Sequence, residues 1–205
     1  MIKFTIVTIT YNAADVFMRT ADSVARQTYA AVEHLIIDGA SSDGTQNLAE
    51  EYKKASDAAC NGHEVRIVSE PDKGLYDAMN KGRRLATGDY VCFLNAGDFF
   101  PSADTLDVIA ANARIEECSS EGKPLPGVLY GDTDWVDNNG NYMSRRRLTP
   151  PEKLTWRSFR HGMLVCHQAF YARTDLAQKV PYDLRYRFSA DVDWCIRIMK
   201  EAEKE

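Results

Sequence analysis

Residues 3–10, KFTIVTIT, are a continuous run of β-branched and apolar side chains. A strand covered on one face alternates apolar with polar residues. An unbroken run instead predicts a strand buried on both faces, the mark of a parallel sheet between layers of helices. The pattern repeats along the chain. Asp15–Gln27 carries Val16, Ala21 and Val24 at helical spacing, and Val32–Asp38 is a second buried strand. Thr45–Ala58 is helical, Glu64–Ser69 is a third strand, and Pro71–Gly74 turns into a helix reaching about Ala86. Tyr90–Leu94 is a fourth strand and Ser102–Glu117 a further helix. Such alternation implies an α/β fold with a mainly parallel, doubly wound sheet, whose ligands bind beyond the carboxyl ends of the strands. Asn12, Asp38, Glu70, Asp72 and Asp98 all fall at those ends.

The second half reads differently. Gly127–Thr133 and Val165–Ala172 are strand-like, and 137–141, DNNGN, is a turn between short strands. Asp191–Glu203 places Val192, Cys195, Ile196 and Met199 on one helical face. The length of 205 residues suits a single domain, 1–205, with a ligand-binding half over 1–117 and a second half over 118–205. The chain stops on KEAEKE, a helix without a glycine cap, so a longer native chain is expected to continue past Glu205.

Net charge is −5 without a long basic run, which argues against nucleic acid as a partner. Cysteines stand at 60, 92, 118, 166 and 195, an odd number without a CxxC pair. Reduced thiols and a cytoplasmic location are expected, with Cys92 and Cys195 buried and no zinc site. No stretch approaches the ~20 apolar residues of a membrane span. MIKFTIVTIT reads as a strand, not a signal peptide. Arg145–Arg147 opens a basic loop that suits either solvent, donor phosphates, a lipid-linked acceptor or peripheral membrane contact.

Three stretches carry the chemistry. In IIDGASSDGT, Asp38 ends a buried strand before a loop of small residues. Ser42 or Asp43 can cap the next helix, which leaves Asp38 for contact with a ligand. In EPDKGLYDAMNKG, Leu75, Ala78, Met79 and Leu85 would face the core, and Asp77 and Lys81 can pair at i,i+4. Asn80 and Gly82 are poor mid-helix residues, and imply close approach of another group. In YVCFLNAGDFF, Asp98 follows a buried strand, while Ser102 is the better cap for the next helix. One carboxylate together with a diphosphate suffices for a divalent cation such as Mg2+.

TITYN, IIDGASSDGT, EPDKGLYDAMNKG, GDYVCFLNAGD, HQAFYAR and SADVDW together resemble the family-2 inverting glycosyltransferases with the GT-A fold, from residue 3 to about 200. The resemblance implies a nucleotide-sugar donor, most simply a UDP-sugar, a saccharide or lipid-linked acceptor, and Mn2+ or Mg2+. It matches Thr10 and Tyr11, with Asn12 beside them, to the nucleotide pocket, and Asp38 to the carboxylate that contacts the base. Asp98 matches the metal-binding aspartate, and His167 a position near the diphosphate and metal. The family usually has a second aspartate one or two residues before the metal ligand, where this chain has Gly97 and Ala96. Its ribose contact is either lost or passed to Asn95 or Asp72, and Asn80 joins the donor side. Asp191 matches the catalytic base, with Asp193 as runner-up. Family analogy points to cell-surface polysaccharide or lipid-linked oligosaccharide assembly at the inner face of the cytoplasmic membrane.

Two other functions are open at this stage. A nucleotidyltransferase would carry a glycine-rich, basic loop after the first strand, which YNAADVF lacks. A non-catalytic nucleotide- or sugar-binding module is consistent with the thinned acidic motif.

Overall fold

A computed structural model describes every residue except 114–117, 119–121, 123 and 205. Four parallel strands come first along the chain: β1 (Phe4–Thr10), β2 (Val32–Asp38), β3 (Glu64–Ser69) and β4 (Tyr90–Phe93). All seven residues of β1 and of β2 are buried, the polar Glu33, His34 and Asp38 of β2 among them. The sheet order is β3-β2-β1-β4-β8-β5, where β5 is Val128–Tyr130 and β8 is Phe170–Arg173. β8 runs antiparallel to both β4 and β5, so the late strands extend the parallel sheet by reversing it. β6 (Asp134–Val136) and β7 (Tyr142–Arg145) form a separate hairpin around the 137–141 turn.

Alternate residues of each strand feed two layers of core. Val7, Ile9, Val91 and Phe93 join a cluster with Ala78 and Met79 of α3 (Leu75–Leu85) and Trp194 and Ile198 of α6 (Ala190–Ala202). α5 (Thr174–Lys179) adds Leu176 and Ala177 to that face. Phe4, Ile6, Tyr90 and Cys92 face the other way, toward Val24 of α1 (Phe17–Ala25) and Leu106 of α4 (Thr105–Asn112). α2 (Thr45–Ala59) packs Ala49 and Tyr52 against Ile36 and Val65. Gly82 is the contact point of α3 with β1: an added Cβ would lie 2.5 Å from Val7 Cγ1. Close approach does explain this glycine, and the approaching group is the sheet.

Several expectations change. α4 begins at Thr105, not Ser102, because Ser102 turns inward on Asp104 and Thr105; the expected end at Glu117 lies outside the described residues. Leu75 is exposed at the start of α3. Lys81 does not pair with Asp77 but reaches Glu70 at 3.0 Å and the Pro71 carbonyl at 2.8 Å, tying α3 to the loop after β3. Only three residues of 127–133 pair as strand, and 165–172 breaks into a 3₁₀ turn at His167–Ala169 before β8. On α6 the buried stripe includes Trp194 and Ile198, while Val192 and Ile196 are half-buried. Cys92 and Cys195 are buried and unpaired, as expected.

One buried polar cluster joins β1, β2 and α2. His34 is fully enclosed, with Nε2 2.8 Å from Thr8 Oγ1 and Nδ1 2.8 Å from Tyr52 Oη. Burial, with a lesser contribution from His63, pushes its pKa from 6.5 down to about 3. Below pH 6.5 the unfolded chain binds a proton here that the folded chain does not, so stability falls on acidification from about pH 6.5 toward 3. Between pH 7.5 and 5.5 this single group removes about 1.4 kcal/mol. Urea unfolding of His34→Gln should show a pH-dependent loss smaller than the parent's by about that amount. Equal losses in the two proteins would refute the assignment.

Candidate active site

The carboxyl rim of the sheet is knitted by side chains that follow the strands. Asn12, just past β1, donates its backbone N–H to Ser41 Oγ at 2.8 Å and accepts from Ser42 N at 2.9 Å. Asp43 joins the same seam, accepting from Ala14 N at 2.9 Å and from Thr45 N at 3.0 Å, while the N-cap position of α2 falls to Gly44 and not to Ser42 or Asp43. Asp38 is buried beneath this loop. Its Oδ2 accepts from Ser41 N at 3.0 Å and Ser69 Oγ at 2.6 Å, and its Oδ1 accepts from Ser41 Oγ. The carboxylate therefore shapes the loop. Above it, Tyr11, Gly39 and Asp72 meet: a Cβ on Gly39 would lie 2.8 Å from Asp72 Oδ2 and 3.1 Å from Tyr11 Cδ2. Asp72 also accepts from Gly74 N at 2.8 Å, which starts α3. The Tyr11 ring stays 67% exposed, an open aromatic face on the rim. Thr10 Oγ1 is buried and has no partner among the described residues.

The loop after β4 carries the second group. Gly97 has φ +102°, a conformation that an aspartate adopts only with strain. The glycine found where the family often has its extra acid is thus required by the backbone. Thr20 of α1 receives Gly97 N at 2.9 Å and donates to the Asp98 carbonyl at 2.6 Å. Asp98 Oδ2 accepts from Gln168 Nε2 at 3.0 Å. Asn95 Nδ2 lies 3.2 Å from His167 Nε2, and His167 Nδ1 lies 3.2 Å from Asp191 Oδ2. Tyr76 Oη, on α3, donates to Asp191 Oδ1 at 3.4 Å. Asn95, His167 and Asp191 thus form one chain of contacts from β4 to the first turn of α6.

Burial alone would push the Asp191 carboxyl up, but the contact with His167, with the Val192 N–H, outweighs it and holds it below the usual carboxylate value. Tyr76 is pushed up, first by burial and then by the Asp191 charge. Asp191 is therefore the ionised partner and Tyr76 the neutral donor. Asp193 is engaged elsewhere, by Arg197 of its own helix at 2.7 Å.

Two assignments change. Asn80 does not reach the rim. Its Nδ2 donates to the Tyr182 carbonyl at 2.9 Å, and its Oδ1 accepts from Tyr182 N at 2.9 Å and Arg83 Nε at 2.7 Å. Tyr182 in turn stacks on Trp194 at 4.7 Å and on Tyr76 at 5.8 Å, so Asn80 supports the floor beneath Asp191. His167 has both ring nitrogens engaged, which removes it from the cation's ligands. Among the described residues no group of three or more histidine, cysteine, aspartate or glutamate side chains gathers to hold a metal ion. What fits a divalent cation is Asp98 alone, through an Oδ1 that no described hydrogen bond reaches. This donor set suits Mn2+ or Mg2+ when a diphosphate and water complete the shell.

A sequence model of glycosyl transferase family 2 matches residues 5–179. The chain belongs to that family. The PGL/p-HBAD biosynthesis glycosyltransferase of Mycobacterium bovis is 36% identical over 198 residues, covering 95% of this chain and 68% of that protein. Residues 1–349 of TarS from S. aureus, solved in complex with UDP, superpose with a TM-score of 0.73 at 19% identity. That match covers 96% of this chain and 55% of the TarS chain. The mannosyltransferase PcManGT from Pyrobaculum calidifontis, solved with GDP-Man and Mn2+, gives a TM-score of 0.60 at 19% identity, over 89% of this chain and 48% of its own. The fold of this family-2 chain is GT-A, as the motifs implied.

Sequence reasoning missed four residues at the family-2 site. Gln168 and Tyr76 lay inside quoted motifs, beside residues that drew attention for their charge. Ser69 and Thr20 gave no signal, because a lone hydroxyl on a strand or helix has many ordinary roles. Asp38→Ala removes the acceptor of three hydrogen bonds in a buried loop and should lower unfolding stability by about 1.5–3 kcal/mol. An unchanged urea midpoint would show that the loop does not depend on it.

Proposed function

We propose that this family-2 chain is an inverting glycosyltransferase that moves a sugar from a UDP-sugar to an acceptor hydroxyl, with a divalent cation at Asp98. The observation that supports it best is the 3₁₀ turn: adjacent residues His167 and Gln168 hold Asp191 and Asp98 respectively. One rigid element thereby sets the distance between a proton acceptor and a diphosphate-side carboxylate.

On this reading the base stacks on Tyr11, and its polar edge meets the Asp38 loop. Thr10 Oγ1 and Asn95 Oδ1, both buried without partners, supply free polar atoms for the donor, with Asp72 beside the ribose. Mn2+ or Mg2+ at Asp98 would offset the negative charge that develops on the leaving diphosphate. Asp191, ionised at neutral pH, takes the proton from the acceptor hydroxyl as that oxygen attacks the anomeric carbon opposite the departing diphosphate. Attack from the opposite face inverts the configuration.

The acceptor is a saccharide or lipid-linked glycan of cell-surface polysaccharide assembly, an inference from the family. All five cysteines are unpaired, which supports a cytoplasmic setting. No helix among the described residues is long and apolar enough to cross a membrane. The β6–β7 hairpin exposes Trp135, Tyr142 and Met143 close to Arg145 and Arg147, a surface suited to peripheral contact with anionic lipid.

Two substitutions test the assignment. Asp98→Asn should fold and bind UDP without the enhancement that Mn2+ gives the parent, read by calorimetry with and without the metal. Retained Mn2+ dependence would remove the cation from Asp98. Asp191→Asn should keep UDP affinity while consumption of a UDP-hexose falls by roughly 10²-fold or more. If turnover survives, Asp191 is not the base. If the parent consumes no nucleotide sugar but binds UDP, the non-catalytic module is the better description.

A further inference from the structure

Asp191 lies one residue into α6, and a carboxylate in a first helical turn has no intrinsic reason to hold a single orientation. Its contacts from outside the helix are the Tyr76 hydroxyl, at a long 3.4 Å, and His167 Nδ1 at 3.2 Å. The imidazole is itself confined. Its side chain is only 13% exposed, and the next residue, Gln168, is fastened to Asp98. At the far edge of the ring stands Asn95 Nδ2, an amide that can only donate. A neutral imidazole carries one N–H. A donor facing Nε2 obliges Nε2 to accept, which places the hydrogen on Nδ1, toward the carboxylate.

We propose that His167 is a positioning residue for Asp191, donating from Nδ1 to its carboxylate, and that Asn95 selects the tautomer that allows it. The inference rests on the reading of Asp191 as the base, and it gives Asn95 a second task beside the donor contact of its free Oδ1. The arrangement has a consequence for proton transfer. His167 occupies Oδ2, and Tyr76 reaches Oδ1 only weakly, so Oδ1 is the oxygen left to receive the acceptor's proton. The ring keeps its own hydrogen throughout; it orients the carboxylate and stabilises its charge, and no proton passes along the chain to Asn95.

The test uses the whole chain labelled with 15N-histidine. Long-range 1H–15N spectra at pH 7.5, with the His167 signal assigned by its loss in His167→Asn, should show the ring's hydrogen on Nδ1 and an accepting Nε2. Asn95→Leu should shift that ring toward the Nε2–H form. A ring protonated at Nε2 in the parent, or a doubly protonated ring with the Asn95 amide reversed, would overturn the tautomer assignment. Kinetics supply the second readout, on UDP-glucose, UDP-galactose and UDP-N-acetylglucosamine, whichever the parent consumes. His167→Ala should lower kcat by about 10- to 100-fold, the usual effect of losing an orienting partner, with UDP–Mn2+ affinity unchanged. His167→Asn, whose amide nitrogen stands near the place of Nδ1, should recover most of that loss. In an Asp191→Asn background, His167→Ala should cost nothing further, because the two act as one unit. A fall in UDP–Mn2+ affinity, or an added loss in that background, would assign His167 to the diphosphate instead. Failure of the base reading looks different: Asp191→Asn alone would then keep its turnover, whatever the tautomer of His167.

Discussion

A parallel sheet covered on both faces leaves its strands no water to bond with, and the polar groups that emerge at their carboxyl ends must find partners within a few residues. The rim of this protein is organised by that demand. Asn12 donates to Ser41 and accepts from Ser42 across the ends of β1 and β2, Asp38 gathers the loop that follows, and Thr20 bridges Gly97 and Asp98. The small and hydroxylated residues that crowd these loops are there because the sheet is buried. Thr10 Oγ1 and Asn95 Oδ1, which have no partner among the described residues, are exceptions. An unmet buried polar atom costs about 1–3 kcal/mol, so two of them on a rim suit a surface that a ligand completes.

Much of this is legible in the sequence. Apolar and β-branched stretches mark β1 to β4, interrupted by Glu33 and His34 in β2 and by Arg66 in β3, and the rule that open sheets bind at strand ends points to Asn12, Asp38, Asp72 and Asp98. What the sequence hid was partnership over distance. Asn80 looked like a donor ligand because it is an unusual residue inside a helix. Its partner is the backbone of Tyr182, 102 positions away, and nothing local announces that bond. His167 was drawn toward the metal for the same reason, since the ring's neighbours at 95 and 191 come from other elements. Short antiparallel strands were equally obscure: β5 has three residues and β8 four, so their limits depend on register with one another and not on periodicity.

The floor under Asp191 shows how far support extends behind a single carboxylate. Asn80 fixes the Tyr182 backbone, Tyr182 stacks on both Tyr76 and Trp194, and those two residues belong to the helices that flank the site. Tyr76 reaches Asp191 from α3, while Trp194 lies one turn along from it on α6 and donates to the Val180 carbonyl at 2.8 Å. Stacked rings resist shear better than aliphatic contacts because both area and orientation are lost when they slide. The aromatic floor therefore couples the spacing of α3 and α6 to the place of the carboxylate between them.

Gly97 bears on how a cation and a nucleotide share this rim. The turn from Asn95 to Asp98 closes with Asp98 N donating to the Asn95 carbonyl at 3.0 Å, and it needs φ +102° at Gly97. A second acid at that position would carry backbone strain, so on the proposed reading one carboxylate, Asp98, would meet the cation. One carboxylate is a weak trap for a strongly hydrated divalent ion. A nucleoside diphosphate adds the missing negative charge and oxygen donors, and the ion in turn relieves the repulsion between diphosphate and Asp98. Such coupling is reciprocal: each ligand raises the other's affinity by the same factor. On this reading the loss of one acid strengthens the mutual dependence of metal and donor.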